Sequence, residues 1–389
     1  MAIPNDSSCL EKQLLVCCLR TRLAGPTAEE VRRLLDSPLD WPYLLAQAAS
    51  NSVSPLLLRH ICALAPERIP PAHFASLKDQ VRTASVRSLT LTGELIRVLR
   101  ALSAAGIQAV PYKGPVLAAQ AYGDIALREF EDIDLVLRQR DVAAADEVLV
   151  QFGFAPEFPL IFAPGVSSPL IPGEYDYRDR ERAIILELHT ERTLRHFGAP
   201  PDLDELGRHL AVVSLSGHDI RTFSPEDTLV FLCVHGSKDF WERLVWVADV
   251  AELIASHQHF DWDRVCAFAD SVRAQRILRI GLALADGLLG ISLPDAIRSR
   301  VYADAVAGAI ASQMRDRLLS RVVAPLKARA SFAYRRRMLA GAFAGFRYAM
   351  RLTTAPAAED WNAVRLPRSL APLYAALRPI RLLRKYGAS

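Results

Sequence analysis

Two aspartates one residue apart, Asp132 and Asp134, interrupt the otherwise apolar run "FEDIDLVL". Side chains alternate across a strand, so both carboxylates share one face while Ile133, Leu135 and Leu137 turn the other way. Like charges held so close repel, and each raises the other's pKa unless a cation lies between them. A divalent cation removes the conflict, and Mg²⁺ suits one or two carboxylates together with substrate phosphates. A solvent-facing Asp-x-Asp without function is also common, so the pair needs company. Glu187, in "IILELHTE", provides it: Leu186 and Leu188 face one way, Glu187 and His189 the other. If the two strands are neighbours, three acids converge and can hold two metals, which activate an attacking oxygen and stabilise a leaving pyrophosphate. His189 reads as a base or, preferentially, as a hydrogen-bonded strand residue.

Upstream stands "YKGPVL". Gly114 can cap a helix, and Pro115 suits the first helical position, where its missing N–H costs nothing. The N–H groups of Val116 and Leu117 would then face a phosphate, with the charge of Lys113 beside them. A structural turn with a surface lysine would explain this step alone. Phosphate cradle and paired carboxylates together are a much less accidental combination.

The elements that must position these groups follow from periodicity. Residues 10 to 105 read as helices, among them "AEEVRRLLDS", "WPYLLAQAASNSVSPLLLRHI" and "SVRSLTLTGELIRVLRALSAAG", with Gly106 as a stop. Then come a strand "IQAVPY", a short helix "PVLAAQAY", the Asp-x-Asp strand and a helix "DVAAADEVLVQFGF". A loop rich in proline and glycine, "APEFPLIFAPGVSSPLIPG", is of a length that is commonly functional. "EYDYRD" and "AIILELHTE" form a hairpin, and the pattern is helical from "SPEDTLVF" onward. This middle unit of four or five strands is too short for a doubly wound dinucleotide fold. It carries neither G-x-G-x-x-G nor a Walker A sequence. Within "HGSKDFWERLVWVADV", taken as one helix, His235, Lys238, Glu242, Trp246 and Asp249 fall within about one quarter of the circumference. Phe240, Leu244, Val247, Val250 and Ile254 lie opposite. The polar stripe reads as a cleft wall, with Lys238 near phosphate and Asp249 orienting it, or as a solvated face with one Glu–Lys pair.

The 389 residues carry a net charge of +4 and are half apolar, a globular composition. No basic region followed by an apolar stretch opens the chain, so no secretory leader is expected. No apolar run approaches the ~18 residues of a spanning helix. Six cysteines without CxxC or metal spacing read as reduced thiols of a cytoplasmic protein. From Arg315 onward sixteen Lys or Arg face three acidic residues, so the rest of the chain is acidic. That tail can meet an anionic membrane surface, nucleic acid phosphates, or, preferentially, the acidic body of the protein itself.

"YKGPVLAAQAYGDIALREFEDIDLVL", then "LELH", then "HGSKDFWERLVWVADVAELI", together resemble a poorly characterised bacterial nucleotidyltransferase family of the DNA polymerase beta-like superfamily. The resemblance covers roughly residues 86 to 260 in order. It implies an α+β fold: a small mixed-sheet nucleotidyltransferase core over 86–215, between an N-terminal helical region (1–85) and a C-terminal helical region with a basic tail (216–389). It implies that Asp132, Asp134 and Glu187 are catalytic and bind Mg²⁺ or Mn²⁺. Gly114 then meets the triphosphate, and Arg128 matches the family's arginine. Proline after that glycine removes one donor to the phosphate, and Lys113 and Arg128 are read as its replacements. The expected reaction moves a nucleoside monophosphate from an NTP such as ATP to a small molecule, peptide, polysaccharide precursor, RNA end or protein side chain. A metal-dependent glycosyltransferase and a non-catalytic binding protein on the same fold are the alternatives.

Overall fold

The computed structural model describes residues 9–157, 160, 175–179, 181–191, 194, 196–257, 259–322, 326, 328–355, 360, 363–364, 366–367, 370 and 373–386. Apart from its first residues and 160, the proline- and glycine-rich loop lies outside them. Five helices lead: α1 (Leu10–Cys17), α2 (Gly25–Leu35), α3 (Trp41–Ser50), α4 (Ser54–Leu64) and α5 (Pro71–Ala104). The single helix expected over "WPYLLAQAASNSVSPLLLRHI" is in fact α3 and α4. Ser52 takes φ +56° between them, and Pro55, which cannot donate to a continuing helix, sits in the first turn of α4. Asn51 fixes the break: its amide donates to Gln47 O at 2.8 Å, and its Oδ1 accepts from Leu244 N at 3.0 Å. Helix α5 runs 34 residues without interruption, so the boundary expected at 85/86 falls inside it. Its first part packs on α3 and α4, and its second part underlies the sheet.

The fold is α+β. Five strands, β1 (Val110–Pro111), β2 (Asp132–Val136), β3 (Ala155–Pro156), β4 (Tyr175–Asp179) and β5 (Ile184–His189), form a mixed sheet in the order β1-β2-β5-β4-β3. Only β2 and β5 run parallel; the other neighbours are antiparallel. Ile133, Leu135, Leu186, Leu188, Tyr175 and Tyr177 bury one face together with Leu91, Leu95 and Leu102 of α5 and Leu149 of α7 (Val142–Gln151). Between β1 and β2 lie α6 (Gly114–Leu117) and a wider π-type turn, Ala118–Tyr122.

A second, two-stranded sheet is new relative to the sequence reading. After α8 (Leu203–Gly207), β6 (Ala211–Leu215) and β7 (His218–Thr222) pair antiparallel around Ser216-Gly217, with φ of +50° and +79°. Two positive-φ residues in a two-residue loop match the twist of a hairpin. The boundary expected at 215/216 lies within this hairpin. Thr222 Oγ1 ties it to the main sheet by donating to Pro111 O at 2.8 Å.

The remaining body is helical: α9 (Pro225–Lys238), α10 (Leu244–Ser256), α11 (Trp262–Ser271), α12 (Gln275–Leu289), α13 (Asp295–Ala303), α14 (Ala305–Leu319), α15 (Ala328–Arg337), α16 (Ala342–Thr354) and α17 (Tyr374–Tyr386). "HGSKDFWERLVWVADV" is thus two helices. Phe240 and Trp241 both take positive φ, +56° and +52°, and Trp241 N returns to Gly236 O at 2.7 Å. The cause is packing: the fully buried Trp241 ring lies over Gly236 of α9 and Gly281 of α12, where no side chain stands in its way. A methyl at position 236 would come within 2.6–2.8 Å of three ring carbons. Gly236→Ala is therefore expected to destabilise the protein by roughly 1–3 kcal/mol, seen as a lower urea midpoint with an unchanged m value. An unchanged midpoint would show that the corner has room to adjust.

Candidate active site

Parallel pairing sets Asp132 opposite Ile185, Asp134 opposite Glu187 and Val136 opposite His189. Asp132 and Asp134 alternate to the face away from α5, and register brings Glu187 and His189 to the same face. Asp134 is buried at the centre. Its Oδ1 accepts from Lys113 Nζ at 2.8 Å and from His189 Nε2 at 3.0 Å. The same His189 nitrogen lies 3.3 Å from Glu187 Oε2, and Tyr112 meets the imidazole edge-on at 5.4 Å between ring centres. The acids predicted on the two strands do share one face. His189 is a full member of the cluster.

The turn before α6 delivers Lys113. Its backbone takes φ +59° and ψ −153°, a strained conformation for a residue with a side chain, of the kind that surrounding structure holds at functional sites. Gly114 follows at φ +43°, and a methyl there would touch Asp132 O at 3.5 Å, so the turn lies against the Asp-x-Asp strand. Lys113, rather than Gly114, occupies the N-cap position.

Charge distributes unevenly over the cluster. Burial pushes Asp134 upward, but Lys113 and His189 outweigh it and hold its carboxyl well below the usual range. Burial pushes His189 down, yet its hydrogen bonds to Asp134 and Glu187 raise it to about 9, so the ring is an imidazolium at neutral pH. Asp132 has no such help. Desolvation first, then the charge of Asp134, raises it to about 7, against the pull of Lys113.

A carboxyl raised in this way binds its proton more tightly folded than unfolded. Ionising Asp132 between about pH 4 and 7 therefore costs stability. Asp132→Asn is expected to stabilise the metal-free protein by up to about 4 kcal/mol at pH 8 and to change little at pH 4. Denaturation at the two pH values checks this, and equal effects at both would contradict it. His189 works the other way: its contribution is complete below pH 6.5 and is lost as pH rises through about 9.

Ligand atoms of Asp134, Glu187 and His189 lie within 4.8 Å of one another. An imidazolium hydrogen-bonded to both acids is a counter-ion, which leaves oxygen donors from Asp134 and Glu187; Asp132, expected as the third ligand, shares their face but lies outside that group. Such a set fits a hard divalent cation. Sequence reading passed over a fourth carboxylate, Asp176, which pairs across β4 with Glu187 on this face. The alternation of Tyr175 and Tyr177 into the core was the available signal.

Arg128 and Asp249 were expected at the triphosphate and beside Lys238. They instead meet each other, deeply buried: Arg128 Nε and Nη2 donate to the two Asp249 oxygens at 2.7 and 2.9 Å. Tyr122 OH donates to Asp249 Oδ1 at 2.8 Å. This knot ties the π-type turn and the chain entering β2 to α10. Tyr122, in "AAQAY", gave no signal of its own in the sequence. Lys238 ends α9, and its carbonyl accepts from Arg335 at 3.3 Å. Because α9 and α10 turn a corner, the expected stripe is broken up. Glu242 is exposed, 3.8 Å from Arg317, while His235 and Trp246 still meet across the corner, 5.1 Å between ring centres. Burial, and next the charge of Lys113, holds the His235 ring well below the usual histidine range.

Residues 37–290 match the family described as an uncharacterised nucleotidyltransferase. A solved structure, that of an antigenic nucleotidyltransferase-like protein from Paracoccidioides brasiliensis, is similar at 14% identity and a TM-score of 0.31. The alignment covers 54% of this chain and 95% of that one. No curated protein matches the chain.

Proposed function

This chain belongs to the uncharacterised nucleotidyltransferase family, and from that premise we propose that it transfers a nucleoside monophosphate from an NTP to an acceptor. The observation that carries the reading is the register of Asp134 on Glu187, with Lys113 closing on the same carboxylate. The mode of action we propose is DNA polymerase beta-like, with Mg²⁺ or Mn²⁺ and an NTP such as ATP. Asp132, Asp134 and Glu187 would hold the cation, which when bound supplies charge neutralisation at the reacting and leaving phosphates.

The chain's own groups do the rest. Lys113, whose ammonium is held well above its ordinary pKa by Asp134 against the opposing effect of burial, neutralises Asp134 before nucleotide arrives and the β,γ-phosphates afterwards. His189 keeps Glu187 and Asp134 oriented. One of the three carboxylates accepts the acceptor's proton. The acceptor oxygen then bonds to the α-phosphorus, the bond to the β-phosphate oxygen breaks, and pyrophosphate leaves. Arg128 and Asp249 position the strand that carries the two aspartates. Buried thiols at Cys17, Cys18 and Cys233 favour a reducing compartment, and we place the enzyme in the cytoplasm. Among the described residues no helix is long and apolar enough to cross a membrane.

The test is incubation with each α-labelled NTP, divalent cation and cell extract, followed by identification of the labelled product. Cation-dependent label transfer with pyrophosphate release is the expected result. Sugar release from nucleotide sugars without pyrophosphate release from NTPs would replace the reading with a glycosyltransferase. Absence of nucleotide binding in calorimetry would replace it with a non-catalytic role.

A further inference from the structure

The last helices turn two different apolar faces in two directions. On α16, Gly345, Tyr348 and Ala349 are buried against the body, and Tyr348 OH donates to His196 O at 3.1 Å. The opposite side of the same helix shows Phe343, Phe346 and Met350 to solvent, at 75%, 50% and 40% exposure. Spacings of three and four residues place them on one stripe, with Arg347 among them, its guanidinium 5.8 Å from the Phe343 ring centre. Helix α17 repeats the arrangement. Tyr374 is buried, Arg378 and Arg381 are spent on Asp360 at 3.0 and 2.5 Å, and Ile380 and Leu383 stand outward at 51% and 70%.

The clustering is the decisive feature. Of the fourteen exposed large hydrophobic side chains among the described residues, nine fall at or after Val322. The same stretch holds thirteen Lys or Arg against two acidic residues. A helix apolar on both sides has a second face that wants cover, and exposed aromatics mixed with cations are the pattern of a helix lying in a lipid headgroup layer.

We propose that the outward faces of α16 and α17 dock on an anionic bilayer surface, with Phe343, Phe346, Met350, Ile380 and Leu383 entering the acyl boundary and Arg347 and Arg384 meeting lipid phosphates. Charge complementarity selects this occupant. Asp360, the acidic side chain among the described residues of that stretch, is consumed internally by Arg378 and Arg381, so a positive surface remains. Nucleic acid would satisfy the arginines but leave the phenylalanine and leucine side chains in water. The helices lie on the surface, since none described is long and apolar enough to span it. The placement is independent of the nucleotidyl-transfer reading.

Co-sedimentation of the full-length protein with phosphatidylcholine vesicles, with or without phosphatidylglycerol, tests the proposal. Binding is expected to the anionic vesicles only, weakening as salt is raised. Arg347→Gln should lower affinity about fivefold, as should Arg384→Gln. Phe343→Ser with Leu383→Ser should lower it roughly a hundredfold together. These side chains are exposed, so circular dichroism and pyrophosphate release should stay unchanged. No sedimentation with anionic vesicles would overturn the proposal. So would full binding by the Phe343/Leu383 double variant, or capture of a labelled oligonucleotide that vesicles fail to displace.

Discussion

Asp134→Asn is expected to lower pyrophosphate release from NTP by at least about a thousandfold. Asp134 is the one acid that touches both the lysine turn and the second strand, through Lys113 at 2.8 Å and His189 at 3.0 Å. An amide keeps the shape but brings no negative charge for a cation. Losing several kcal/mol of electrostatic stabilisation at the reacting phosphates corresponds to three or more powers of ten in rate. The same change leaves Lys113 and His189 as buried cations without their counter-ion, so some loss of stability accompanies it, about 1–3 kcal/mol. Glu187→Gln separates the two effects, because the Glu187 side chain is a quarter exposed. That variant should fold with nearly unchanged stability and still lose turnover heavily. Retained turnover in a folded Asp134→Asn protein would remove the basis for the enzymatic reading.

Asp249→Asn is expected to cost about 3–5 kcal/mol of stability, the largest loss from any single change at this site. Asp249 is fully buried and receives three hydrogen bonds, two from Arg128 and one from Tyr122. Removing its charge strands a guanidinium inside the protein, which is far worse than removing both partners. The pair Arg128→Met with Asp249→Leu should therefore recover part of the loss, so the two single costs exceed the cost of the double variant. Chemical denaturation of the unchanged protein, Arg128→Met, Asp249→Leu and the double variant measures this. The cycle also decides what Arg128 does. A phosphate-binding arginine would raise KM for NTP in Arg128→Gln while stability held. A positioning arginine lowers stability and kcat together. Additive single costs would show that the knot is not a unit.

The knot also marks where sequence reasoning stops. Arg128 and Asp249 were both conspicuous as charged residues, but 121 positions separate them, and nothing local shows that they neutralise each other. With no sign of that pairing, Arg128 was assigned to the triphosphate and Asp249 to orienting Lys238.

Alternation in "DIDLV" and "IILELH" was enough to determine that Asp132 and Asp134 share a face, and that Glu187 shares one with His189. Two-residue periodicity is a local property of extended backbone, so the chain carries it wherever the strand goes. The α+β order of elements was legible for the same reason. Only tertiary structure decided that β2 and β5 run parallel with Asp134 on Glu187, because register is set by the burial of Ile133, Leu135, Leu186 and Leu188 against α5 and α7. It also decided the corner between α9 and α10. Helical spacing continues through Phe240 and Trp241, but the indole gains more by burial over Gly236 and Gly281 than the helix gains by continuing. Those glycines lie 45 residues apart, beyond the reach of any local pattern.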